Sequence, residues 1–215
     1  MQMLRYIYGH DLHKYPELAH SMFTDRADQF RTRLGWEVNV DAKGEERDQY
    51  DALYPLCVIL ERPDGSHACS IRFLPTTGLV MVNEIFGHLT GGAPIVSPLI
   101  WECTRFCLSR NAPSRVAGAL MLGGGEIMRS FGVRHFVGVF DKRMVRIYRA
   151  IGSSPEVLGT EGEGRDQINV GLWEFTPESY DLVAKRAGIA PELSRLWFER
   201  AFGDAGPVAP MAMTG

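Results

Sequence analysis

Pro98-Leu99-Ile100-Trp101-Glu102-Cys103-Thr104-Arg105-Phe106-Cys107-Leu108-Ser109-Arg110 is apolar and aromatic enough to be a buried central strand, yet it carries Glu102 and Arg105 at its middle. Charges are seldom buried without a partner or a function. Residues three apart on a regular strand point to opposite faces, so this pair serves both sides of a sheet unless a bulge re-aims one of them. Two readings stand side by side: a functional site at mid-sheet, and a structural ion pair tying the strand to its neighbour.

Immediately upstream, Leu56–Glu61 and Ala68–Leu74 are apolar strand patterns joined by a Pro63-Asp64-Gly65 turn, which predicts an antiparallel hairpin with Arg72 inside its second strand. Another short strand is expected between Leu79 and Phe86, followed by a loop bearing Gly and Pro. Further back, Leu18, Met22, Arg26 and Phe30 recur at spacing four after Pro16, and Gly35 stops that helix. Arg26 thus falls on the apolar face, where it either snorkels to solvent or looks with Phe30 into a shared pocket. Between them, residues 36–54 crowd Asp41, Glu45, Glu46, Asp48 and Asp51 into an acidic loop. That loop is either a solvated connection or a lid whose carboxylates meet a cationic ligand, with Trp36 as a stacking face.

Downstream, a helix over Arg115–Phe131 contains Gly123-Gly124-Gly125, each about 1 kcal/mol worse than alanine in a helix interior, so close backbone approach or open space is wanted there. His135–Phe140 reads as a short buried strand, and Asp141 caps a helix over Lys142–Ile151 with Met144, Ile147, Tyr148 and Ile151 on its apolar face. Gln167–Phe175 is a further strand, and Pro177–Ala187 and Pro191–Phe202 are closing helices around Gly188. The order implies an α/β fold, a single three-layer α/β/α domain over residues 1–202, with a disordered tail over 203–215.

Composition excludes several classes. With 23 Lys+Arg against 26 Asp+Glu there is no global basic field, so no nucleic-acid partner is expected. No apolar run approaches the ~20 residues of a membrane span and the start lacks a basic leader, which points to a cytoplasmic protein with no membrane partner. Cys57, Cys69, Cys103 and Cys107 sit in strand-like runs without a Cys-x-x-Cys pair and read as reduced core fillers. His10 and His13 have no second cluster at zinc spacing, so no metal is expected.

Arg26-x-x-x-Phe30, Trp36, Asp48-x-x-Asp51, Arg72-Phe-Leu-Pro-Thr-Thr77, Phe86 and Glu102-x-x-Arg105-Phe106 together resemble the LuxI-type acyl-homoserine-lactone synthases, the autoinducer synthases of bacterial quorum sensing. No single piece is specific; the order and spacing over the first half of the chain carry the resemblance. It implies a GNAT-like acyltransferase fold with a mixed, mostly antiparallel sheet, and a reaction between S-adenosylmethionine and an acyl thioester. Adenosylmethionine is then a substrate, and no separate cofactor is implied. Its sulfonium, ammonium, carboxylate and adenine call for carboxylates, a guanidinium and aromatic surface, which Asp48, Asp51, Arg26, Arg105, Phe30, Trp36 and Phe106 supply. Its α-amine needs a base, for which Glu102 is the candidate, with Arg72, Arg105 and Asp48 beside it in the catalytic set. Backbone N–H groups on a splayed central strand would receive the oxyanion.

Phe86, Met121, Met128, Phe140 and Met144, with Leu120 and Leu122, offer an adaptable lining for a medium-to-long acyl chain. Family members that take 3-oxo chains commonly carry a threonine where Phe140 stands, so a chain bare at C3 is expected. Lys142, Arg146 and Arg149 form a cationic helix face suited to acidic acyl carrier protein, favoured over coenzyme A. Two other readings remain: an N-acyltransferase that uses acyl-CoA on another amine, although Gly123–Gly125 lies inside a helix rather than opening one, and a non-catalytic adenosylmethionine sensor.

Overall fold

The computed structural model describes residues 2–203. Of the tail expected over 203–215, all but Gly203 lies outside the described residues. Seven strands form one sheet in the order β1-β2-β3-β4-β5-β7-β6: β1 Met3–Tyr8, β2 Leu56–Glu61, β3 His67–Pro75, β4 Ile100–Leu108, β5 His135–Asp141, β6 Glu156–Glu161 and β7 Ile168–Glu174. Only the β4–β5 pairing is parallel, so the sheet is mixed and mostly antiparallel, with the quoted stretch at its centre.

Two strands escape a reading by pattern. β6 is exposed along almost its whole length and has no buried alternation to betray it. β1 does alternate, with Leu4 and Tyr6 buried, but over only six residues. The strand expected at Leu79–Phe86 is instead a short helix, α2 Met81–Glu84. A buried acceptor decides this: the Glu102 carboxylate takes the N–H groups of Met81 and Val82, which a turn presents together and a strand cannot.

β2 sorts the layers. Cys57 and Ile59 pack with Leu18, Met22 and Phe23 of α1 (Pro16–Ala27), whereas Leu56, Val58 and Leu60 face α3 (Ala117–Phe131) and α6 (Pro191–Phe202). Between α3 and α6 in sequence come α4 (Lys142–Ile151) and α5 (Pro177–Ala187). The glycine run of α3 answers to close approach: a Cβ on Gly123 would meet Val58 at 2.8 Å and Leu4 at 2.9 Å, and one on Gly125 would meet the Tyr180 ring at 2.7 Å.

Past Glu102 the centre of the sheet opens. The β4–β5 ladder has three pairs, ending at Glu102↔Val137, while β5 stays paired with β7 as far as Asp141. Along the other edge of β4, Ser70↔Cys107 is followed by Arg72↔Thr104, so three residues of β4 span two of β3. Arg105 takes up the extra residue at φ +53°, a left-handed conformation that a non-glycine residue adopts only under constraint. Gln29 secures the bulge, donating to the Phe106 carbonyl at 2.8 Å and accepting from the Leu108 N–H at 2.9 Å. Gly138 lies at the parting of the strands, where a Cβ would come within 2.8 Å of the Cys103 carbonyl oxygen and 2.9 Å of its sulfur. We therefore expect Gly138→Ala to destabilise the protein by about 1–3 kcal/mol, the range for overpacking a fitted site. A thermal melt would show a midpoint several degrees lower, and an unchanged midpoint would mean the strands part without needing this glycine.

Candidate active site

The bulge brings Arg105 to the same side as Arg72 and Arg26, against the acidic loop. Six side chains close a ring in which charge alternates at every step. Arg26 donates to Glu46 at 2.6 Å and, bidentately, to Asp51 at 3.0 and 2.9 Å. Arg72 bridges Asp51 at 2.9 Å and Asp48 at 2.5 and 2.9 Å, and its Nε donates to Thr104 Oγ1 at 2.9 Å. Arg105 closes the circuit, reaching Asp48 at 2.8 Å and Glu46 at 2.9 Å. Arg26 is thus sealed among carboxylates rather than snorkelling. The acidic loop has a fixed shape of its own, because Asp48 and Asp51 form a reciprocal capping box around the 3₁₀ turn Gln49–Leu53.

Exposure divides the ring. The side chains of Arg26, Glu46 and Arg72 are 2%, 0% and 1% accessible, while Arg105 and Asp48 are each 12%. Arg105 and Asp48 form the edge of the ring that a ligand can reach. Burial pushes the Asp51 carboxyl up, but Arg26 and Arg72 more than offset this and hold it well below the usual carboxylate range.

Glu102 stands outside the ring. It is buried, pairs with no arginine, and rests on the two α2 N–H groups at 2.6 and 3.1 Å. Burial pushes its carboxyl up to about 6, against those N–H groups and Arg72, which favour the charged form. A carboxylate poised there can exchange a proton near neutral pH.

Two cavities flank the parted strands. The outer one, with about 300 Å³ of room, is lined by Phe30, Trp36, Met81, Phe86, Thr104, Arg105, Phe106, Phe140 and Met144. Phe30 and Trp36 stack at 5.3 Å and 10°, Phe30 within the π-helical turn Asp28–Arg33 that ends α1, and the Arg105 guanidinium lies 5.2 Å from the Phe30 ring. The inner cavity is narrow, about 50 Å³, and runs beneath α3 past Cys103, Phe106, Met121, Met128 and Trp173. The structure therefore splits the expected acyl lining: Phe86, Phe140 and Met144 belong to the outer cavity, Met121 and Met128 to the inner. Leu120 joins the inner wall, and Leu122 is buried in the packing between α3 and α5. Phe106 and Tyr148 line both. Lys142, Arg146 and Arg149 are exposed on α4, away from the ring. Among the described residues no group of His, Cys, Asp and Glu could hold a metal ion, and no helix is long and apolar enough to cross a membrane.

Sequence reasoning named Glu46 only as one acid of a crowded loop. Counting would have found its role, since three arginines inside apolar patterns require three carboxylates. Thr104 and Gln29 carried no such signal, because their contacts are set by a bulge that pattern does not show. Tyr148 was read as one more apolar face position.

The ring makes a testable statement about stability. Arg72→Met should take one of the two guanidiniums from each of Asp48 and Asp51, leave the ring with net negative charge, and lose about 3–5 kcal/mol in urea unfolding, the range for removing one partner from a buried pair. Because Asp51 is held low in the folded state, its contribution is present above the ordinary aspartate range and is lost as pH falls below about 4. A loss under about 1 kcal/mol for Arg72→Met would show that the ring is not needed for folding.

Residues 10–181 match the autoinducer synthase family. An acyl-homoserine-lactone synthase from Rhizobium etli is 40% identical over 165 residues, covering 74% of this chain and 77% of that one. Another from Pseudomonas chlororaphis is 31% identical over 62% of this chain and 68% of its own. Among solved structures, the CoA-dependent acyl-homoserine lactone synthase MesI superposes with a TM-score of 0.76 at 25% identity, over 87% of this chain and 96% of that one. LasI, another acyl-homoserine-lactone synthase, gives 0.75 at 22% identity over 86% and 95%, a likeness of fold. The chain belongs to the autoinducer synthase family and is an acyltransferase of the acyl-homoserine-lactone synthase class.

Proposed function

We propose that the outer cavity takes S-adenosylmethionine and that Glu102 is the base that frees its α-amine. The observation that carries this reading is a buried carboxyl pushed up to about 6 whose neighbours Met81 and Cys103 line the outer and the inner cavity, the outer one also bearing the Arg105 guanidinium and the Phe30–Trp36 stack. Phe30, Trp36 and Phe106 offer the apolar surface, while Arg105 and Asp48, the reachable edge of the ring, meet the substrate's carboxylate and ammonium. Arg26 and Arg72, expected from sequence to touch substrate or take part in chemistry, are sealed within the ring; Asp51, half-buried between them, also lines neither cavity, and all three act as positioning residues. A solved relative by fold, BjaI, is described with SAM and isopentyl-CoA, which supports the same pair of substrate classes here.

Glu102, through water, takes a proton from the ammonium; the amine attacks the thioester carbonyl; the C–N bond forms and the C–S bond breaks, releasing the carrier thiol. Backbone N–H groups beyond Glu102, where the β4–β5 ladder ends, would receive the oxyanion. The substrate carboxylate then attacks its own γ-carbon, and the sulfonium leaves with the bonding pair as methylthioadenosine. Residues 1–202 make up the working domain, no metal or further cofactor enters, and the reaction is assigned to the cytoplasm.

A medium-to-long acyl chain fits a path from the outer into the inner cavity, where Met121 and Met128 can shift to widen a narrow slot. The expectation of a chain bare at C3 rested on Phe140. That ring does face the outer cavity and offers no donor, but the Tyr148 ring of α4 packs edge to face with it and carries a hydroxyl, so absence of a threonine at 140 does not by itself decide the chemistry at C3. For the carrier, the exposed cations of α4 favour acidic acyl carrier protein.

Incubation with adenosylmethionine and a panel of acyl thioesters should yield acyl-homoserine lactone and methylthioadenosine by mass spectrometry; binding without products would support the sensor reading. Glu102→Gln should lower kcat on the order of 10²-fold with the fold intact, and should remove the acidic limb of the rate profile near pH 6, below which wild-type Glu102 is protonated and idle. Rates near wild type would exclude Glu102 as base. Charge reversal at Lys142 and Arg146 should raise the KM for acyl carrier protein substrates several-fold; an unchanged KM, with acyl-CoA used equally well, would exclude carrier docking on α4.

A further inference from the structure

Tyr148 is the one side chain of α4 that reaches both cavities along with Phe106, and it is buried at their junction. Its ring is fixed on three sides: Phe140 at 5.3 Å, Trp173 at 5.0 Å and Phe106 at 6.1 Å, each edge to face. Its hydroxyl bonds to no described residue and is not sealed off, so it opens on cavity space. Water can satisfy a hydroxyl that opens on a cavity, but an acyl chain that displaces the water leaves it unmatched unless the chain itself brings an acceptor. Burial, with the nearby Cys103 thiol and Asp141 carboxylate, pushes the phenol well above its usual range, so the group is a permanent donor at working pH.

The position of the donor fixes what it can meet. Cys103 follows the last residue of the β4–β5 ladder, and a chain whose thioester lies against Arg105 in the outer cavity must pass that junction near its head to place its tail in the inner one. Resting on the acyl path proposed above, we infer that the Tyr148 hydroxyl is a specificity-determining donor for an oxygen on C3 of the acyl chain, supplying from α4 the hydrogen bond that Phe140 cannot. A 3-oxo or a 3-hydroxy group presents the same acceptor, and both leave the phenol satisfied where a plain chain leaves it bare.

The experiment compares plain, 3-oxo and 3-hydroxy thioesters of one chain length on one carrier, with wild type and Tyr148→Phe, reading kcat and KM separately with lactone and methylthioadenosine as products. Wild type should favour an oxygenated chain over the plain one, and Tyr148→Phe should bring that kcat/KM ratio down by roughly 3- to 10-fold, the value of one neutral hydrogen bond. The arm with the larger fall identifies which oxygen is read. Equal losses on all three chains, or a wild-type enzyme that prefers the plain chain, would overturn the assignment. The wild-type comparison holds even if the variant folds poorly. Failure to form lactone from any thioester would overturn the path itself, a distinct result from lactone formed without discrimination.

Discussion

The closed ring of Arg26, Glu46, Arg105, Asp48, Arg72 and Asp51 is the constraint from which the rest of the structure follows. Three guanidiniums inside an apolar framework can be kept there only by equal and opposite charge at hydrogen-bonding distance. The chain meets this need with elements distant in sequence: one arginine from α1, one from β3, one from β4, and three acids from the loop between the first helix and the hairpin. The loop therefore cannot be a loose connection. It is folded into its capping box by the cations it answers, and its first residues, Trp36 to Val38, build one wall of the outer cavity.

The bulge at Arg105 belongs to the same logic. Without the extra residue, Arg105 would face away from Arg72 and the ring would lack its sixth member. With it, β4 turns out of the ladder with β5 and the sheet opens beside Glu102. One local irregularity thus completes the charge circuit and leaves the sheet open beside Glu102.

Much of this was legible in the sequence, for identifiable reasons. The hairpin announced itself by alternation and by Pro63-Asp64-Gly65, and the centrality of Pro98–Arg110 by two charges in an apolar run. Even the bulge was implied, since Glu102 and Arg105 could serve one site only if the strand broke register. What stayed hidden depended on partners that one sequence does not display. α2 is a helix because Glu102 holds its N–H groups, β6 is a strand because β7 offers an edge, and Tyr148 is set apart from the other apolar positions of α4 by lining both cavities. Of the site, residue types were readable; the division into sealed and reachable members was not, because that is a property of depth.

Depth also separates this protein's charges into two populations that respond differently to ionic strength. The ring is neutral in sum and Arg26, Glu46 and Arg72 are sealed from counterions, so added salt acts on it only weakly. Lys142, Arg146 and Arg149 stand in water, where at 0.15 M salt their field fades within about 8 Å. Salt is thereby a selective instrument on this molecule: it screens the α4 face while reaching the sealed part of the ring only weakly, and the two can be varied one without the other.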